Sequence, residues 1–180
     1  MAEEKKTATI MLLSGDMDRA LIAFMIATGY AAMGMEVKMW FTLWGANCLK
    51  KRQSFWHKLF RRKKYDKAKE SRYRVLETDS AMQDLVELVN TGDSSCMSLS
   101  RLNLMGMGPP IFKYLLKRKH LPDVEELIQA AVDLEISFTI CQICVDALGL
   151  SLDELVAPAD VRGVSGYMQD STHAHINLII

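Results

Sequence analysis

Short unbroken apolar runs along this chain alternate with stretches in which apolar residues recur every three or four positions. Thr7 to Leu13 (Thr-Ala-Thr-Ile-Met-Leu-Leu) has the composition of a strand buried on both faces. Ser14-Gly-Asp-Met-Asp18 follows as a turn, with Asp16 or Asp18 as the N-cap of a helix that runs to about Ala32 and stops at Gly34. That helix is apolar almost all round. Val37 to Thr42 reads as a second strand, so the opening is a β-α-β unit, and Trp44-Gly-Ala-Asn-Cys48 is expected as the loop beyond it. Pro109-Pro110 can start a helix through Lys117. Asp123 caps another, with Val124, Leu127, Ile128 and Ala131 on one face. Ile136 to Ile140 is a β-branched and aromatic strand, and a short helix follows it to Leu148, with Gly149 as its cap. Ser151-x-x-Glu154 is a capping box for a short helix near Val156. Val161 to Gly166 reads as a loop, Tyr167 to about Thr172 as one or two helical turns, and Ile176 to Ile180 as a last strand. Ser94 to Gly108 fits a long loop, or a short strand plus loop. Strands alternating with helices predict a three-layer α/β/α sandwich on a mostly parallel sheet.

In such sheets reactive groups collect at the carboxyl ends of the strands. Ser14, Trp44, Cys48 and Cys141 all fall at that edge on this reading, joined by Cys96 or the Met105-Gly-Met-Gly108 loop. Cys141 falls where a strand ends and a helix begins, and Cys144 one turn further on. A helix N-terminus favours an anion, hence a thiolate. A Cys-x-x-Cys pair of this kind points to redox, sulfur-handling or metal chemistry, against a bland alternative of small buried hydrophobes. His173 and His175 do not complete a standard zinc spacing with it, so neither a metal nor a cofactor is expected. Ser14-Gly-Asp-Met-Asp18 lacks the Lys and glycines of a phosphate-binding loop.

Composition changes this picture in one place. The net charge is zero, yet twelve Lys or Arg residues lie between Lys50 and Arg74 against Asp66 and Glu70, about +10 locally. The remaining ten basic and twenty acidic residues leave about −10. Phe55, Trp56, Leu59 and Phe60 give this stretch an amphipathic helical face, and Met82, Leu85, Val86 and Val89 a second helix behind Asp79. A basic helical insert at about 49–92 is therefore expected within a single domain spanning 1–180. It reads as a solvated helix, a contact with an anionic membrane, or a dock for an acidic protein; no recognition motif supports nucleic acid. The start of the chain lacks the pattern of a secretory signal, and thiols at irregular spacing fit a reducing compartment, so a cytoplasmic location is expected.

Several motifs together resemble the DsrE/DsrF/DsrH-like family of sulfur-relay proteins. They are Ser14-Gly-Asp-Met-Asp-Arg-Ala20, Met33-Gly-Met-Glu-Val37, Phe41-Thr-Leu-Trp-Gly-Ala-Asn47, Leu99-Ser-Arg-Leu-Asn-Leu-Met-Gly-Met-Gly108, Ile140-Cys-Gln-Ile-Cys-Val-Asp-Ala-Leu-Gly149, Glu154-Leu155 and Val161-Arg-Gly-Val-Ser-Gly-Tyr167. The likeness covers nearly everything except the basic insert and the segment up to about Ser95. It implies a five-stranded, mainly parallel sheet, and a cysteine matching Cys141 that carries sulfane sulfur, as a persulfide or thiosulfonate, between donor and acceptor proteins. Pocket candidates are Ser14, Gly15, Asp16, Trp44, Asn47, Gly106 and Gly108. Cys144 occupies a position where relatives often carry a small hydroxyl residue.

Two rival expectations stand beside the carrier. One is a dithiol–disulfide oxidoreductase using Cys141 and Cys144; the other is a docking module using Lys50 to Arg74. The resemblance and the apolar Ala20–Ala32 helix together imply a homo-oligomer, a trimer or a multiple of it, with Cys141 near a subunit boundary.

Overall fold

Thr7–Leu12 forms β1, with Ala8, Ile10 and Leu12 wholly buried, because a β-branched run flanked on both sides by other strands leaves no face for water. The computed structural model describes residues 5–51, 94, 97–148, 150 and 152–180. Helix α1 (Met17–Ala32) leads to β2 (Glu36–Phe41), and a 3₁₀ helix follows at Leu43–Leu49. Further along the chain come α2 (Gly108–Arg118), α3 (Val124–Asp133), β3 (Ser137–Cys141) and α4 (Gln142–Leu148). The chain closes with β4 (Asp160–Arg162), α5 (Val164–His173) and β5 (Ile176–Ile179).

The five strands form one sheet in the order β4-β3-β2-β1-β5, and every pairing is parallel. The register sets Leu12 beside Phe41, Phe41 beside Ile140, and Cys141 beside Arg162. One face is covered by α1, whose Phe24 ring lies 5.9 Å from Phe41 and 6.0 Å from Phe138, and α3 packs alongside α1. The opposite face carries Trp40, met edge-on by Tyr167 of α5 at 5.6 Å. These layers make the expected sandwich.

Several boundaries follow local signals. Gly34 (φ +82) closes α1 in the left-handed region that glycine tolerates best, its N–H donating to Ala31 O. Asp123 and Glu126 cap α3 reciprocally, each bond at 3.0 Å, and Val124, Leu127, Ile128 and Ala131 are all buried.

Other expectations are corrected. Helix α1 buries a single face, Met17, Ala20, Ala23, Phe24 and Ala27, while Ile22 and Met25 stay exposed. Asp16 holds the N-cap position without a side-chain cap bond, because its carboxylate is engaged by Ser14 and Ser98. Trp44 to Cys48 is not a loop but part of the 3₁₀ helix, buried from Gly45 to Leu49. Val161 to Gly166 is not a loop either: it holds the end of β4 and the start of α5. A three-residue edge strand is too short for its side-chain alternation to register. Ser94 to Gly108 shows one bridge, Ser98 to Asp16, and a 3₁₀ turn at Leu104–Gly106.

The basic amphipathic helix, the Met82–Val89 helix, Cys96, Gly149 and Ser151 lie outside the described residues. Ser94 N–H donates to Lys50 O at 3.1 Å, so these two positions lie side by side. Among the described residues no helix is long and apolar enough to cross a membrane.

Candidate functional site

The carboxyl ends of β1 and β2 are pressed together by two glycines. A Cβ on Gly45 would stand 2.2 Å from Leu12 O, and one on Gly15 would stand 2.9 Å from Trp44 O. Only glycine permits that approach, which Gly45 N–H→Leu13 O (3.0 Å) and Thr42 N–H→Leu12 O (3.1 Å) then lock. Ser14, Gly15, Asp16 and Trp44 are thereby brought together. Ser14 Oγ donates to Asp16 Oδ2 (2.6 Å) and Ser98 Oγ to Asp16 Oδ1 (3.0 Å), tying the Ser98 segment to this edge. Asp18 accepts from Ser100 N–H and Oγ. Burial pushes the Asp18 carboxyl up, but the Ser100 hydrogen bonds outweigh it and hold it below its ordinary value. Asn47 is buried in the 3₁₀ helix, its carbonyl accepting from Lys50 N–H.

The two cysteines of the motif sit differently. Cys141 is the last residue of β3, cross-strand from Arg162 and 4 % exposed. Cys144, in α4, is 1 % exposed; Leu43 N–H donates to its Sγ (2.7 Å), which donates in turn to Thr42 Oγ1 (3.5 Å). Burial pushes the Cys144 thiol up, only partly offset by those two contacts. Cys48 is completely buried, and burial raises it further still. All three are free thiols. Of the two residues between the motif cysteines, Ile143 is exposed.

Beside Cys141 opens a cleft of about 1200 Å³ between α4 and the start of α5, lined by Gln142, Asp146, Arg162, Gly163, Ser165 and Gln169 among others. Cys141 is not itself a wall of the cleft. Its chain neighbour Gln142 and its cross-strand neighbour Arg162 are. Arg162 is set rigidly: Nη1 donates to Asp170 Oδ2 (2.7 Å), and the guanidinium lies 5.4 Å from the Trp40 ring centroid. Asp170 also accepts from Lys38 Nζ (3.0 Å) and Trp40 Nε1 (3.2 Å). A Cβ on Gly166 would meet the guanidinium at 2.9 Å, so the glycine makes room for it. Reading by residues did not single out Arg162. Its only signal was its place in the Val161–Tyr167 motif, because its partners come from β2 and α5.

The remaining candidates lie elsewhere. Gly106 ends the 3₁₀ turn and Gly108 opens α2, Gly106 with φ +93 and Gly108 with no room for a Cβ, which would stand 2.0 Å from Leu102 O. Neither lines the cleft. His175 Nδ1 meets Thr7 N–H (3.3 Å) and His173 O accepts from Thr7 Oγ1 (3.1 Å), at the amino edge of the sheet. Both histidines are therefore at the opposite edge from Cys141. Among the described residues no three His, Cys, Asp or Glu side chains converge as metal ligands.

Residues 4–179 match the sequence profile of the DsrE/DsrF/DrsH-like family. Over 180 residues, all of both chains, this protein is 32 % identical to uncharacterized protein YrkE of Bacillus subtilis (strain 168). It is 22 % identical to the sulfur carrier protein DsrE2 of Allochromatium vinosum, across 98 % of this chain and 99 % of that one. The crystal structure of the E. coli YchN protein superposes with a TM-score of 0.52 at 7 % identity, covering 97 % and 99 % of the two chains, a likeness of fold.

Proposed function

The chain belongs to the DsrE/DsrF/DrsH-like family, and from that premise we propose that it is a sulfur carrier holding sulfane sulfur on Cys141. The observation that carries the reading is the position of Cys141 at the carboxyl end of β3, next to the Gln142–Arg162 cleft. Cys144 and Cys48 are more completely enclosed, and burial raises both of those thiols. A protonated thiol is a poor nucleophile. The similarity to a protein named as a sulfur carrier supports the same chemistry.

Loading is a thiolate displacement. Cys141 Sγ attacks a sulfane sulfur of a polysulfide or protein persulfide; the new S–S bond forms as the donor S–S bond breaks, and the electron pair leaves with the donor thiolate. Delivery reverses the roles: an acceptor thiolate attacks the outer sulfur and Cys141 departs as thiolate. No external oxidant, metal or cofactor enters the balance. With Cys141 only 4 % exposed, a donor reaches it only through a local rearrangement, so loading is slower than for an open cysteine. The partners are sulfur-donor and sulfur-acceptor proteins.

The test is incubation with polysulfide followed by intact-mass analysis. Wild type and Cys144→Ser gain whole sulfur atoms, while Cys141→Ser gains none. Loading that persists in Cys141→Ser overturns the assignment. Loss of loading in Cys144→Ser, together with a reversible Cys141–Cys144 disulfide, favours the dithiol reading instead.

A further inference from the structure

The sulfur chemistry makes no use of the surface that runs from Arg101 through α2. Between Leu102 and Gly108 the chain folds into a knuckle braced on itself. Gly106 and Gly108 N–H both donate to Asn103 O (2.7 and 3.1 Å), and Met107 N–H donates to Leu104 O (3.2 Å). Leu102, Leu104 and Met105 sit at φ +58, +42 and +56, left-handed backbone that L side chains rarely adopt. That geometry points apolar side chains outward. Residues 101–107 are all exposed, so the tip projects, and Met105 is completely bare. Ile111 and Tyr114 continue the apolar surface along α2.

Charge says what such a surface suits. No Asp or Glu lies between Asp93 and Asp123, whereas Arg101 is exposed beside the apolar tip and Lys117, Arg118 and Lys119 are exposed at the far end of α2. A face of one sign repels its own copy across a two-fold axis. The tip is also convex, and a protein partner would need a matching pocket, while lipid headgroups part around any convex shape. Apolar residues flanked by cations, with a tyrosine between them, form the pattern of an element lying in a bilayer interface. We propose that this surface docks on an anionic membrane, with the Leu102–Met107 knuckle entering the headgroup layer and the α2 cations facing lipid phosphates. The inference is independent of the role of Cys141.

Flotation of the full chain with vesicles of phosphatidylglycerol and phosphatidylcholine, against phosphatidylcholine alone, tests it. Binding is expected only to the anionic vesicles, and to fall as salt rises. The pair Leu104→Asp/Met105→Asp and the triple Lys117→Glu/Arg118→Glu/Lys119→Glu should each lower partitioning by at least about tenfold. Their melting temperatures should stay unchanged, since every altered side chain is exposed. Absence of flotation at low salt overturns the proposal. So does flotation that survives Leu104→Asp/Met105→Asp, which would assign binding to Lys50–Arg74. A solution mass that drops in that double variant, with no vesicle binding, would instead make the face a contact between copies.

Discussion

Cys144 accepts the Leu43 N–H, donates to Thr42 Oγ1 and touches almost no water, so it acts as a post that holds the corner after β2. Leu43 itself is left-handed (φ +49), a conformation this contact helps to hold. A thiol whose folded-state value lies above its unfolded one favours folding while protonated. That contribution is fully present below the ordinary thiol value of about 8.5 and is lost as pH rises through the raised one. Stability is therefore expected to decline above about pH 8.5, and Cys144→Ala should show a shallower decline. Denaturant midpoints of the two proteins across that range check this; equal slopes would remove Cys144 as a cause. Cys141 was legible in the sequence because strand composition and helix spacing locate it. The burial of Cys144 agrees with the small-buried-hydrophobe alternative, but the groups it binds were not legible, since Thr42 and Leu43 lie about a hundred residues away.

At the scale of elements, glycines of identical chemistry have opposite roles. Gly29 lies on the exposed side of α1 with nothing near its absent Cβ, whereas Gly45 lies against the backbone of β1. Gly29→Ala should stabilise the protein by roughly 0.5–1 kcal/mol through helix propensity and a less disordered unfolded chain. Gly45→Ala must push β1 and the 3₁₀ helix apart, with a cost of about 2–3 kcal/mol. Thermal melts of both variants decide the matter, and a stable Gly45→Ala protein would mean that this edge is looser than its packing implies. The extent of α1 and the Asp123 cap of α3 were readable because each is a property of neighbouring residues. The 3₁₀ helix at Leu43–Leu49 carries no period of its own, and β4 is held by its pairing with β3 rather than by its three residues.

For the whole molecule, covering both faces of an all-parallel sheet still leaves apolar surface on α1 and its C-cap, where Ile22, Met25 and Met33 are exposed. We propose that a homo-oligomer, a trimer or a multiple of it, buries this face. Light scattering at micromolar concentration should give more than the monomer mass, and Ile22→Lys/Met25→Lys should reduce it. A monomeric wild type would leave that face to water.

Sequence by itself determined most of the strands and helices, that the sheet is mostly parallel, and that Cys141 closes a strand, because periodicity, capping and turn chemistry act between residues a few positions apart. Tertiary structure alone decided which groups surround that cysteine. Arg162 reaches Asp170 and Trp40 only after β4 pairs with β3 and α5 folds across the far face. His173 and His175 land at the amino edge only because β5 pairs with β1 in parallel. Contacts of that kind depend on the order in which strands assemble, a long-range outcome of burying the apolar faces of several elements at once, and no local pattern encodes it.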